Sequence, residues 1–131
     1  MGGQHHLGDL QYAIMRVLWD EGEATVVRVQ EALSDDRDRA LTTIATMLTK
    51  MEKKGVVSHR TDGRQFVYKA TVSEKDVHRS MVSDLTERLF QGDFTALVSH
   101  LLTEQEIDAA ELKRLKAMIA ERASKERRRG R

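Results

Sequence analysis

The chain has no cysteine and no proline among its 131 residues, and aromatic side chains make up only 5% of it. Without cysteine there are no disulfides, no thiolate nucleophile and no cysteine-ligated metal. Without proline, helix ends fall to glycine and polar caps. No apolar run approaches the roughly 18 residues of a membrane helix, and the opening MGGQHHLGDL lacks the apolar stretch of a secretory signal. The expected setting is therefore the cytoplasm, with no membrane insertion. No Ser/His/Asp arrangement, phosphate-binding glycine loop or carboxylate dyad is apparent, which argues against an enzyme and against a catalytic residue or cofactor. His59, His78 and His100 are isolated and at no metal spacing, and His5-His6 is a weak pair, so no metal is expected. Met15, Met47, Met51, Met81 and Met118 read as core or interface filler.

What remains is 33% charged and 40% hydrophobic, the balance of a soluble, helix-rich protein with room for one ordinary domain or a small one with a helical appendage. The net charge is only +1. Its distribution is uneven: positions 37 to 69 hold eight Lys/Arg against three acids, the footprint of a phosphate-binding surface.

Within that stretch, ALTTIATMLTKMEKKG predicts a helix over 40–54 with Leu41, Ile44, Met47, Leu48 and Met51 on one face. Thr42, Thr46, Thr49 and Lys53 point the opposite way, with Thr43 on the flank. Threonine is a poor helix former, so three on an outward face need a reason. Their hydroxyls suit phosphate oxygens and base edges, and their methyls suit the thymine methyl. Next comes VVSHRTDGRQFVYKA, two β-rich runs around the turn signal Thr61-Asp62-Gly63, which reads as a hairpin.

Upstream, a helix over 8–21 buries Leu10, Ile14, Val17 and Leu18 and ends at Gly22. Thr25 then caps a short support helix with Val26, Val29 and Leu33 inward, and 35–39 forms a charged turn. Three short helices and a hairpin form a winged helix-turn-helix, with 40–54 as recognition helix. From Ser73 the pattern is amphipathic helix only. Ser73 and Asp76 cap a first helix, Gly92 ends it, a second runs over 94–102, and a capping box at Thr103 to Glu106 opens a third reaching about Ala123. Three such helices bury too little to close a core alone, which makes self-association the natural remedy. The expected fold is mainly α with a small β-wing: a DNA-binding domain at 7–72, a helical dimerisation domain at 73–123 and a basic, disordered tail at 124–131.

The segments LGDLQYAIMRVLWDEGEATVVRVQEAL, RALTTIATMLTKMEKKGVV, FVYKA and LFQGDFTALVSHLL, in register over about residues 7 to 120, resemble the penicillinase-repressor family of winged-helix transcriptional repressors, the BlaI/MecI/CopY type. The resemblance implies a homodimer on an inverted-repeat DNA operator of resistance or stress genes. It also implies release when the dimerisation region is cleaved under a membrane sensor peptidase or another inducer-linked protease. The family's cleavable Asn-Phe bond falls at His100-Leu101 here, a departure that argues against that route. The cysteine ligands of the copper-sensing branch are absent. Leu41 stands where the family often has Tyr, and Lys50 where Arg is common, which removes a hydroxyl and a bidentate contact.

The candidate DNA contacts are Thr25, Arg28, Arg39, Thr42, Thr43, Thr46, Thr49, Lys50, Lys53, Arg60 and Arg64. Bland readings stand beside several of them: Thr25 as a helix cap, Arg28 paired with Glu31, Lys53 complementing a helix C-terminus, and Arg60 and Arg64 at a solvated hairpin tip. The candidate dimer contacts are Val77, Met81, Leu85, Leu89, Phe94, Leu97, Val98, Leu101, Leu112, Leu115 and Ile119. The competing reading is a winged-helix module that binds a protein partner without sequence-specific DNA binding.

Overall fold

In the computed structural model, which describes residues 7–34 and 40–130, the chain separates into two units divided between Leu85 and Thr86. The charged turn at 35–39, with Arg39, and the pair His5-His6 lie outside the described residues.

The first unit is built on α1 (Asp9–Glu21), β1 (Ala24–Thr25), α2 (Val26–Leu33), α3 (Leu41–Lys54), β2 (Val57–Asp62), β3 (Gln65–Ala70) and the first turns of α4 (Glu74–Phe90). Helical spacing explains the core. Ile14 and Leu18 from α1 and Ile44, Leu48 and Met51 from α3 recur one or two turns apart and are buried together with Met15, Val29, Val57 and Tyr68. Burying a side chain such as Leu48 stabilises the fold by about 1.5–3 kcal/mol. Gly55 ends α3 at φ 85°, a left-handed backbone that a side chain would oppose. Leu41 differs from the sequence expectation, being 42% exposed. It is the first residue of α3, and the buried stripe of the helix begins one turn later at Ile44.

The sheet has three antiparallel strands in the order β1-β3-β2, one more than the sequence pattern indicates. Ala24 and Thr25 pair with Tyr68 and Val67, a two-residue strand too short to leave a periodic trace. In the hairpin the register pairs Asp62 with Gln65, so the turn is Gly63-Arg64, one step later than the expected Thr61-Asp62-Gly63. Gly63 takes the positive φ (63°) that such tight hairpin turns require at their first central position.

The boundary also moves. Val77, placed by pattern among the dimer contacts, is fully buried in the core of the first unit, and Met81 packs against it. Two polar links hold α4 and the segment leading into it there: the indole N–H of Trp19 donates to the Val72 carbonyl (2.9 Å), and the Tyr12 hydroxyl is hydrogen-bonded to His78 Nε2 on α4 (2.6 Å). A pattern alone reads α4 as one stripe and cannot tell which part of the stripe the preceding helices claim.

In the second unit, α5 (Phe94–Glu104) and α6 (Ala109–Arg129) are capped by Asp93 and Asp108, whose carboxylates accept from the amides of Ala96 (3.1 Å) and Glu111 (2.8 Å). The expected capping box at Thr103 to Glu106 does not form. Thr103 remains inside α5, its hydroxyl donating to the Ser99 carbonyl (2.8 Å), because Asp108 supplies the better cap. The basic end, expected to be disordered, is helical to Arg129. Ion pairs along the helix, Glu121 with Lys125 and Glu126 with both Arg122 and Arg129, support it, and arginines in the last turn complement the helix dipole. No residue of α5 or α6 is buried. Among the described residues, no helix is long and apolar enough to cross a membrane.

The boundary makes a testable difference. A fragment of residues 1–85 should melt cooperatively in circular dichroism, whereas a fragment of residues 1–72, deprived of Val77 and Met81, should melt well below it. Equal melting midpoints would return the boundary to residue 72.

Candidate nucleic-acid interface

The outward face of α3 carries Thr42, Thr43, Thr46, Thr49, Lys50 and Lys53, all exposed, directly behind the buried Ile44, Leu48 and Met51. The start of this helix is suited to an anion. Ala40 at the N-cap offers no side-chain cap and the first turn holds no acid, which leaves the first-turn amides open to an anion among the described residues. Thr49 is partly engaged already, its hydroxyl donating to the Ala45 carbonyl (3.0 Å) and lying beside Tyr68. The buried Tyr68 hydroxyl is pushed above its ordinary pKa by burial first and by the nearby Glu52 charge second, with Thr49 opposing. It stays neutral at any physiological pH.

The wing is tied to α3 by a polar and aromatic contact. His59 on β2 lies 2.7 Å from Glu52 Oε1 and stacks on Phe66 at a centroid distance of 4.2 Å, with Tyr68 at 5.4 Å. Lys54 has a structural role. Its ammonium donates to Gln11 Oε1 (3.0 Å), and the Gln11 amide in turn reaches Met47 Sδ (3.3 Å), anchoring the end of α3 to α1.

Thr25 caps α2, accepting from the Arg28 amide (3.1 Å). The Arg28 side chain lies 3.5 Å from Glu31, the partner that local spacing suggests, but its closer partner is Glu21 at 2.9 Å. Arg60 pairs with Glu23 at 2.7 Å. Sequence reasoning missed Glu21 and Glu23. Glu21 stands seven residues before Arg28 across the Gly22 turn, and Glu23 stands 37 residues before Arg60, a separation that leaves no local signal. Arg64 occupies the hairpin turn itself. Among the described residues, no carboxylate lies within ion-pair distance of Arg64, Lys50 or Lys53.

Apart from Leu85, the remaining dimer candidates lie in the second unit. Leu89, Phe94, Leu101, Leu112, Leu115 and Ile119 are exposed, while Leu97 and Val98 are half-buried. Phe94, Val98, Leu115, Met118 and Ile119 line one groove between α5 and α6. Leu85, the last residue of the first unit, is also exposed. The bond between His100 and Leu101 lies inside α5, with the Leu101 carbonyl accepting from the Gln105 amide (3.1 Å). A protease would have to unwind that helix first.

Three helices, a small sheet and a hairpin wing, with one helix buried on one face and polar on the other, define the first unit as a winged helix-turn-helix. Residues 7–121 match the family model described as "Penicillinase repressor", and the chain belongs to that family. It is 37% identical over 118 residues to the transcriptional regulator BlaI of Mycobacterium tuberculosis (strain ATCC 25618 / H37Rv), covering 88% of this chain and 83% of that protein. It is 25% identical to the penicillinase repressor of Bacillus licheniformis, covering 92% and 94%. Among solved structures, the DNA-binding domain of the repressor BlaI matches 58% of this chain and 93% of its own length at 32% identity, with a TM-score of 0.51. The family consists of transcriptional repressors, not enzymes.

The ion pairs give a pH signature. Hydrogen bonds from Arg28 to Glu21 and from Arg60 to Glu23 hold both carboxyls below their ordinary pKa. A depressed carboxyl adds stability above its unfolded pKa and loses it as pH falls through the folded value. Urea denaturation as a function of pH should therefore show a flatter acid limb for E21Q/E23Q than for the parent. Parallel curves would mean that the pairs contribute nothing to folding.

Proposed function

We propose that this chain is a homodimeric transcriptional repressor that places α3 in the major groove of an inverted-repeat operator and braces the flanking backbone with its wing. The observation that carries this reading is the two-sidedness of α3. Ile44, Leu48 and Met51 of its apolar face are fully buried in the core, so the Thr/Lys face is held outward as a rigid unit. Thr42, Thr43 and Thr46 lie in the first two turns, where the helix N-terminus also attracts phosphate. Thr49, Lys50 and Lys53 follow along the groove, and Arg64 extends from the wing turn. The names of the relatives, a penicillinase repressor and a transcriptional regulator, agree with this role.

Dimerisation completes the reading. Phe94, Met118 and Ile119 are each at least 64% exposed on two helices with no buried residue, an apolar surface that pairing with a second copy would cover. Two-fold pairing sets the spacing of two half-sites. Whatever loosens that pairing, whether cleavage, a ligand or a protein partner, weakens operator binding by the same coupling free energy.

Fluorescence anisotropy with a duplex from upstream of the chain's own coding sequence, a scrambled duplex and a salt titration tests the repressor reading. Binding should prefer the native duplex and weaken steeply with salt. Thr46→Asp should abolish that preference while circular dichroism stays unchanged, because a carboxylate would face phosphates and base acceptors. Undiminished affinity in this variant would sink the assigned reading face. For the second unit, Ile119→Asp should shift the protein from dimer to monomer in sedimentation velocity and weaken duplex binding. A variant that still sediments as a dimer would place the interface elsewhere.

A further inference from the structure

Two of the candidate DNA-contacting arginines already hold a carboxylate. Arg28 donates through Nε to both oxygens of Glu21 (3.0 and 3.1 Å) and through a terminal nitrogen to Oε2 (2.9 Å). Arg60 donates to Glu23 at 2.7 Å, with a second contact at 3.4 Å. The two acids flank Gly22, whose φ of 86° turns the chain from α1 into β1. One turn thus offers two carboxylates to guanidiniums from two different elements, α2 and β2. The fork geometry that an arginine uses on a carboxylate is the one it uses on a phosphate.

We propose that Glu21 and Glu23 are built-in competitors of DNA phosphate, holding Arg28 and Arg60 in the free protein until each arginine exchanges its carboxylate for the DNA backbone. This inference rests on the DNA-binding reading above. The pairs are suited to exchange because all four side chains are substantially solvent-exposed, so each pair is weak and easily opened. A duplex offers a dense row of phosphates in return. Protonation agrees with the geometry on both sides of each pair, the arginines being held above their ordinary pKa and the glutamates below theirs. Phosphate contacts carry no sequence information. Competition for them lowers affinity for any duplex and leaves the Thr face of α3, where base edges would be read, untouched. Arg64, Lys50 and Lys53, which have no carboxylate partner among the described residues, supply the contacts that need no exchange.

The test is a double-mutant cycle on the full chain, read by anisotropy on a fluorescein-labelled duplex of scrambled sequence at low salt. E21Q/E23Q should bind roughly 2- to 30-fold tighter than the parent, the range that opening two exposed pairs implies. R28Q/R60Q should bind more weakly and lose about 0.9 of salt slope per abandoned phosphate. The quadruple variant should match R28Q/R60Q, since competitors without a target have no effect. Equal tightening by E21Q/E23Q in both backgrounds would show that the acids act only as distant negative charge, and would overturn the proposal. No tightening in the parent background would overturn it as well. Separate cycles on Glu21 with Arg28 and on Glu23 with Arg60, each checked by circular dichroism, keep the test decisive if one variant misfolds. A parent protein that binds no duplex at all would remove the repressor reading itself, an outcome distinct from a parent that binds without this coupling.

Discussion

The seam formed by Ile44, Leu48 and Met51 is the constraint on which the surface depends. These three side chains lock α3 in one rotation about its axis against α1 and α2, because close-packed interiors do not permit a gradual roll. Every outward residue of α3 follows from that rotation. Thr42, Thr46 and Lys53 are exposed together because the opposite face has no freedom to turn, and the bond between Lys54 and Gln11 pins the C-terminal end in the same orientation. The contact of Glu52 with His59 then passes the orientation of α3 on to the wing. Core packing and surface chemistry are two sides of one helix.

Charge is distributed on this scaffold in two states. Arg28 and Arg60 are neutralised internally by Glu21 and Glu23, and Lys54 serves as a structural hydrogen-bond donor. Among the described residues, Lys50, Lys53 and Arg64 have no such acid beside them. A count of basic residues between 37 and 69 treats Lys50, Lys53, Lys54, Arg60 and Arg64 as equivalent, yet only some of them present an open charge to a polyanion. The uncapped start of α3 adds positive potential that no count of side chains includes.

The fold class and most helix limits were legible because they are local properties. Periodicity at 3.6 residues placed Ile14, Leu18, Val29, Ile44 and Leu48 inside, glycines marked the ends of α1 and α3, and Thr25 announced the start of α2. Legibility failed where two local solutions competed. Thr103 reads as a cap from its local pattern, but α5 continues through Leu101 and Leu102 past it, and Asp108 caps α6 instead. The basic end reads as disordered by charge, but the spacing of Glu121 and Glu126 against their cations keeps it helical. Among the candidate site residues, the Thr/Lys face of α3 was readable from periodicity, whereas the partners of Arg28 and Arg60 were not.

By itself the sequence determined where the helices of the winged-helix unit lie, which of their faces are apolar, and which glycines stop the chain, because each depends on neighbours within a few positions. The tertiary structure alone decided that Val77 belongs to the winged-helix core, that Ala24-Thr25 adds a third strand to the sheet, and that Arg60 is held by an acid 37 residues away. Those outcomes depend on pairings between distant segments, and a pairing is defined by where the backbone has already gone. Composition and spacing contain no record of that path.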